Sequence, residues 1–252
     1  MCKSLNLRIL HWVLCKYPAF GLNLFIYLLF LTNHYRSDRN AMDKIELLLA
    51  NFPLYSEDLA IDLKEPSGRF KWFLASILFG ARISETISAN TYKTFERYGI
   101  NSIEEIIAAG RDELVKILDE GGYVRYDFST ATKLLDIMVA LKDKYGSLED
   151  LYSQSSDTKD LERSLQTFKG IGAVTTQIFL RELRGVWHIN PNVSEKAKEV
   201  AATLDINLEE FEAEKLSRVE TALVKLSIKY CKRKKCKECP MNAFCRVDMQ
   251  SA

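Results

Sequence analysis

The chain has 252 residues, of which 47% are hydrophobic, and a formal net charge of +1. This length suffices for one large domain or two modest ones with a buried core, and the near-neutral charge by itself indicates no class of partner. Of the six cysteines, four lie within fifteen residues near the C-terminal end, which is not the disulfide framework of a small secreted protein. Such clustering favours a metal site in a cytosolic protein.

The first element is an uncharged apolar run, YPAFGLNLFIYLLFLTN (residues 17–33), with basic residues on both sides. A run of about 17 residues just spans a bilayer, so a signal anchor or a short transmembrane helix is one interpretation. A secretory signal peptide is another, although no small-residue cleavage site follows the run. The third interpretation places the true start at Met42 and treats residues 1–41 as an upstream extension. No membrane partner is expected unless residues 1–41 are translated.

From Met42 onward the apolar residues recur at intervals of three and four, which predicts amphipathic helices. Clear examples are residues 72–78, 114–118 and 134–138. The stretches NSIEEI (101–106) and GSLEDL (146–151) have the form of capped helix starts. Neither a sustained alternation of period two nor a hairpin dipeptide is present, so the predicted fold class is all-α.

A glycine turn lies between two predicted helices in LQTFKGIGAVTTQIFLREL, residues 165–183. Gly170-Ile171-Gly172 forms the turn, with Ile171 expected to point inward, and Ala173 begins the second helix. Glycines let the backbone approach a ligand closely, and the N–H groups that begin a helix form an anion site. The pattern predicts a helix–hairpin–helix, which holds a DNA phosphate without reading bases. Taken alone, it also fits an ordinary corner between two helices.

The C-terminal stretch KYCKRKKCKECPMNAFC (229–245) places its cysteines in the pattern C-x4-C-x2-C-x5-C. This spacing is too compact for the two separated pairs of a zinc ribbon, but it fits four thiolates around one centre. Structural zinc and iron–sulfur clusters both take four cysteine ligands, so the spacing alone leaves the choice open. The candidate ligands are Cys231, Cys236, Cys239 and Cys245.

Four consecutive cations, Lys232, Arg233, Lys234 and Lys235, separate the first two of these cysteines. A loop tied at both ends would present them at a fixed place, where phosphate contacts give salt-dependent affinity without sequence preference. Solvation of an exposed loop is the alternative role. Because the hairpin and this basic run independently predict a polyanion, the expected partner is double-stranded DNA.

The order of these motifs resembles the endonuclease III-like helix–hairpin–helix DNA glycosylases (the HhH-GPD superfamily). In that family a loop with a catalytic Asp follows the hairpin, and a C-terminal C-x6-C-x2-C-x5-C loop holds a [4Fe–4S] cluster. Here the last two cysteine spacings match and the first is shorter. The resemblance covers roughly residues 60–246. It implies a [4Fe–4S] cluster on the four cysteines, with structural zinc as the alternative.

The resemblance also implies two helical lobes around a DNA cleft. Residues 64–182 would form a six-helix barrel lobe that ends in the helix–hairpin–helix at 165–182. Residues 42–63 and 183–252 would together form the lobe that holds the cluster. The hairpin residues that would contact DNA are Lys169, Gly170, Ile171, Gly172, Ala173 and Thr175.

Further DNA contacts are implied near the early barrel helix and in a later loop. Arg82 stands where several relatives have a Gln that fills the space left in the duplex, and Ser76 stands where the adenine-specific branch has a Glu. Tyr123 and Arg125 occupy the place of a loop that probes the DNA stack. Their alternative role is to cover a helix end.

At the catalytic positions this sequence departs from the family. The Asp position, in HINPNV, is Asn190, and the hairpin Lys position is Val174, so strand cleavage through a lysine at that site is not expected. An amide has neither charge nor useful basicity, and loss of a positioned acid–base group costs about 10²–10⁴-fold in rate. Glu195 is the candidate replacement carboxylate. Whether Asn190 is native or engineered is left open.

Two functions therefore follow from the resemblance. The first is a DNA repair enzyme, a monofunctional DNA N-glycosylase of base excision repair that flips a damaged or mispaired base and hydrolyses its glycosidic bond. The alternative is a catalytically inactive lesion- or structure-specific DNA-binding protein of the same fold. A zinc-bound helical protein without a DNA role is a third interpretation. A cytoplasmic, nucleoid-associated monomer is expected, and the sequence does not name the excised base.

Overall fold

The computed structural model describes residues 43–246. The apolar N-terminal run, and with it the question of whether residues 1–41 belong to the protein, lies outside these residues. The first described segment, residues 43–51, is helical. A boundary between two compact units falls within it, after Leu47, and all the elements that follow belong to the second unit.

Every regular element between residues 43 and 246 is helical, which confirms the predicted all-α class. No helix in this range is long and apolar enough to cross a membrane. Short 3-10 turns lie at Leu208–Glu210, Cys231–Arg233, Cys236–Glu238 and Asn242–Phe244. The α-helices after the first segment are α1 (Tyr55–Asp58), α2 (Pro66–Phe79), α3 (Glu85–Arg97), α4 (Ile103–Glu120), α5 (Asp127–Tyr145), α6 (Leu148–Gln154), α7 (Thr158–Gln166), α8 (Ala173–Glu182), α9 (Glu195–Leu204) and α10 (Ala213–Lys229).

Serine side chains begin two of these helices where the sequence predicts helix starts. The Ser102 hydroxyl accepts a hydrogen bond from the Glu105 N–H (3.2 Å) at the start of α4. The Ser147 hydroxyl accepts one from the Asp150 N–H (3.1 Å) at the start of α6. Each bond satisfies an N–H group that the helix cannot pair internally. Both predicted helix starts are confirmed.

One hydrophobic core joins helices α1 to α8. It runs from Tyr55 to Ile189 and includes the fully buried Trp72 and Phe95. The buried apolar side chains of α9 and α10, such as Leu223, do not belong to this cluster. The division into a barrel lobe and a cluster lobe stays a prediction.

Helix α2 crosses α8 along a stripe of residues spaced four apart. The Trp72 indole N–H donates to the Phe179 carbonyl (3.0 Å). At the other end of the stripe, a Cβ added to Gly80 would lie 2.1 Å from Thr175 Oγ1. Ser76 lies between them on α2, fully buried, and its hydroxyl has no hydrogen-bond partner in the described chain. The crossing holds the end of α2 against the first turn of α8.

Replacement of Ser76 by Ala is expected to raise the free energy of unfolding by about 1 kcal/mol, because a buried hydroxyl without a partner is costly. Urea denaturation measures this change. The matched control is Ser88→Ala, because Ser88 is equally buried but donates to the Leu78 carbonyl (3.1 Å). That control should lose about 1 kcal/mol. Equal losses in the two variants would contradict this description of the crossing.

Candidate nucleic-acid interface and cysteine loop

The predicted hairpin turn is present between α7 and α8. Gly170 has a φ of +99°, in the left-handed region that favours glycine. The Ile171 N–H donates to the Phe168 carbonyl (3.0 Å). Ile171 is buried, as predicted, whereas Lys169 and Gly172 are exposed. One apolar side chain therefore anchors the turn, and the second glycine is left at the surface.

The start of α8 keeps its backbone donors available. Gly172 is the N-cap residue, no side chain of the described chain caps the helix, and its first turn has no acidic residue. The first N–H groups of a helix lack internal acceptors, so this end can bind an anion. Ala173 and Val174 are exposed there. Thr175, a predicted DNA contact, is buried against Gly80, and it therefore positions the turn instead of contacting a ligand.

Two segments distant in sequence meet at the end of α2. The first turn of α8 contacts it through Thr175 and Gly80. The Tyr123 hydroxyl donates to the Leu78 carbonyl (3.0 Å), which holds the loop between α4 and α5 against the same helix end. Arg82 is exposed in the turn that follows. The hairpin, Arg82 and the loop before α5 are therefore brought together.

The loop before α5 exposes side chains other than those predicted. Tyr123 is predicted as a wedge or stacking residue, but it is fully buried and its burial raises the pKa of its hydroxyl, so that prediction is wrong. Arg125 is exposed, with its guanidinium 5.4 Å from the centre of the Tyr126 ring. Val124 and Phe128 are the exposed apolar residues of this loop and the following turn, at 61% and 57% exposure. From the sequence alone, these two residues cannot be distinguished from apolar residues of the core.

Asn190, at the position of the family's catalytic Asp, is exposed and held on two sides. Its backbone N–H donates to Thr158 Oγ1 (3.1 Å), and its side-chain Oδ1 accepts from Arg184 Nη1 (3.2 Å). Arg184 is fully buried and pairs with Glu220 (2.7 Å). Glu220 also accepts from the Ser194 N–H (2.9 Å). This buried ion pair fixes the loop that carries Asn190.

The contact with Arg184 decides which way the Asn190 amide faces. A guanidinium only donates hydrogen bonds, so the amide oxygen faces Arg184 and the NH2 group faces solvent. Position 190 therefore presents donors and no base. Its backbone partner Thr158 begins α7, whereas the hairpin follows the end of that nine-residue helix. Because a helix rises 1.5 Å per residue, the two ends of α7 lie about 12 Å apart along its axis, with Asn190 bonded to one end and the hairpin following the other.

The predicted replacement carboxylate, Glu195, begins α9, is exposed and pairs with Lys198 (2.7 Å). A different carboxylate, Asp157, adjoins Thr158, the backbone partner of Asn190. Asp157 and His188 line one cavity of about 390 Å³ with Ile189, the neighbour of Asn190 in the chain. Asp157 is the N-cap of α7. In the sequence, an aspartate that caps a helix looks the same whether or not it also takes part in chemistry.

The four cysteines lie on and after three short 3-10 turns. The Cys239 N–H donates to the Cys236 carbonyl (3.1 Å), which closes the middle turn. Met241 is fully buried and anchors the loop. The Arg246 N–H donates to the Thr203 carbonyl (2.9 Å), which ties the end of the loop to α9. The loop is therefore held at its middle and at its end.

The four thiols affect one another. Burial raises the pKa of Cys231, and the thiols of Cys239, Cys245 and Cys236 raise it further. Burial also raises the pKa of Cys239, against a hydrogen bond from the Met241 N–H that lowers it. A raised pKa favours the neutral thiol, and metal binding would require loss of these protons. Between residues 43 and 246 no three His, Cys, Asp or Glu side chains are gathered around a single ion position, and the [4Fe–4S] assignment, with zinc as the alternative, stays a prediction.

The basic run before the second cysteine is exposed throughout, from Lys232 and Arg233 to Lys234 and Lys235. Lys235 pairs with Glu238 (3.0 Å). The cysteine loop contacts α9, whereas the hairpin packs on α2. A common DNA-facing surface for the basic run and the hairpin stays a prediction.

Comparisons with known proteins assign no family to the chain. No protein-family model matches it, and no curated protein matches it either. Function is therefore inferred from the residues and their geometry.

The predicted [4Fe–4S] cluster takes four cysteine ligands, so it requires that replacement of Cys236 by Ser lower the iron and sulfide content of the purified protein and weaken its visible absorption. Chemical iron and sulfide assays measure this. The matched control is Lys237→Ser, which changes the next residue and leaves every thiol in place. Zinc without sulfide in the wild type, or equal iron in the two variants, would contradict the cluster assignment.

Proposed function

We propose that this chain is a DNA repair protein of the endonuclease III-like helix–hairpin–helix class, a monofunctional DNA N-glycosylase that binds duplex DNA. The observation that carries the proposal is the open hairpin. The exposed Gly172 and the uncapped start of α8 offer backbone donors to a phosphate, which gives binding without sequence preference. The exposed Arg82 and Arg125 lie on segments held at the same end of α2 and add positive charge toward the same polyanion.

The loop before α5 supplies groups suited to opening the base stack. Val124 and Phe128 are large apolar side chains left in water, and apolar wedges that enter a base step offset part of the cost of unstacking. Arg82 can donate hydrogen bonds to the base left without its partner. A nucleotide extruded by these groups becomes accessible for chemistry on its base.

Cleavage of the glycosidic bond develops positive charge on the sugar, which a nearby carboxylate stabilises. Asn190 cannot do this, and Val174 cannot form a Schiff base. Asp157 is the acidic residue of the cavity next to Asn190. One of its oxygens accepts the Asp160 N–H (2.8 Å). Asp157 is therefore the candidate acid–base group of the proposed enzyme.

The second candidate function is recognition of DNA lesions or structures without excision. The hydrogen bond from Arg184 to Asn190 favours it, because the amide presents donors where the family has a carboxylate. A donor at this position binds an acceptor atom of a nucleotide but does not activate water.

Replacement of Gly172 by Ala is expected to lower the free energy of unfolding by no more than about 1 kcal/mol, because alanine is a poorer N-cap than glycine, whereas the added Cβ meets nothing within 4 Å and the φ of −101° suits any residue. The methyl group would stand where a phosphate approaches the donors of α8. Loss of one hydrogen bond to a charged group costs about 1.5–3 kcal/mol, so affinity for duplex DNA should fall about tenfold or more. Fluorescence anisotropy and thermal denaturation measure the two properties. Unchanged affinity in the folded variant would contradict the hairpin's role.

The choice between the two functions is tested by single-turnover assays on duplexes with uracil, oxidised guanine, thymine glycol or an A·G mismatch. The wild type is expected to release one of these bases. Asp157→Asn, which keeps a good helix cap but removes the charge, should be slower by about 10²–10⁴-fold. Glu195→Gln is the matched control and should retain the wild-type rate. Activity in Asn190→Asp alone would contradict the enzyme proposal for the wild type and favour the second candidate function.

A further inference from the structure

Lys133 lies against the hairpin turn, although it belongs to α5. A Cβ added to Gly170 would lie 2.4 Å from Lys133 Cδ and 2.7 Å from its Cγ. The aliphatic part of the side chain therefore packs on the turn, in the way that lysines cover apolar or backbone surface while the charged end reaches outward. The ammonium nitrogen is two bonds beyond Cδ, so it lies at the hairpin too.

This lysine has no counter-charge in the described chain. No carboxylate between residues 43 and 246 pairs with it, and Asp136, one turn further along α5, is exposed. By contrast, Lys142 on the same helix pairs with Glu104 (3.1 Å). Burial of Lys133 lowers its pKa, because a cation that has left water is disfavoured. The folded protein therefore carries an uncompensated positive charge beside the turn.

We propose that Lys133 is a phosphate ligand of the hairpin, supplied by a helix outside the motif. The inference rests on the proposed DNA-binding function and adds to the site a residue that the motif does not contain. An arriving phosphate would give the ammonium group the counter-charge that the protein lacks, in a charge-assisted hydrogen bond. The backbone donors of α8 and the charge of Lys133 would then hold one anion between them.

Gly170 is part of the same arrangement for two reasons. Its positive φ strains any other residue, and its missing side chain makes room for Lys133. The tight turn thus lets a cation from α5 approach the backbone that binds phosphate.

The test is Lys133→Met, which keeps the apolar stem and removes the charge. Its unfolding free energy should equal or exceed that of the wild type, since at neutral pH the desolvated charge destabilises the folded state only. Its affinity for duplex DNA should fall about tenfold at low salt. The slope of log affinity against log salt concentration should become shallower by about 0.9, the value for one phosphate contact.

The matched control is Lys142→Met, on the same helix, which should keep the wild-type affinity and salt slope. Lys133→Arg keeps a cation and should also keep the slope, which separates loss of charge from loss of packing. A folded Lys133→Met protein with wild-type affinity and slope would overturn the inference while the proposed function stands. Failure of the wild type itself to bind DNA would overturn both.

Discussion

The close approach of Gly80 to Thr175 is the contact on which the proposed DNA interface depends. It seats the first turn of α8 on the end of α2, and the Trp72 hydrogen bond to the Phe179 carbonyl fixes the other end of the crossing. A side chain at residue 80 would separate the two helices, because its Cβ would lie 2.1 Å from Thr175 Oγ1. The position of the hairpin therefore follows from a packing constraint in the core.

The end of α2 also holds α3 and the loop before α5 in place. The Leu78 carbonyl accepts hydrogen bonds from both Ser88 and Tyr123 (3.1 and 3.0 Å), so α3 and the loop before α5 are fixed to it. The exposed Val124 is the residue after this anchored tyrosine. A buried polar anchor with an exposed apolar neighbour is the arrangement that the proposed wedge into stacked bases requires.

A buried ion pair holds the loop that carries Asn190 in place. Arg184 and Glu220 have side-chain exposures of 1% and 0%, and breaking such a pair costs about 3–5 kcal/mol because one charge is left without a partner. The pair also bonds the Asn190 side chain and the Ser194 backbone, and it therefore holds the loop at both residues. The resulting orientation of the amide makes position 190 a donor site, which separates this chain from the carboxylate chemistry of the family it resembles.

Local patterns in the sequence sufficed for the helical class, the serine-capped helix starts and the inward Ile171, because each depends on residues a few positions apart. The burial of Tyr123 and Thr175 could not be predicted in this way, since both contact α2, far away in sequence. Asp157 and Lys133 escaped notice for the same reason. Each acquires its candidate role only through a neighbour that tertiary packing supplies.

The proposed electrostatic contact with a polyanion is tested most directly by the affinity of the wild type for duplexes of unrelated sequence over a series of salt concentrations. A linear fall of log affinity with log salt, with a slope of about −0.9 per phosphate contact and equal for all sequences, is the predicted result. No binding at low ionic strength, or a slope near zero, would contradict it.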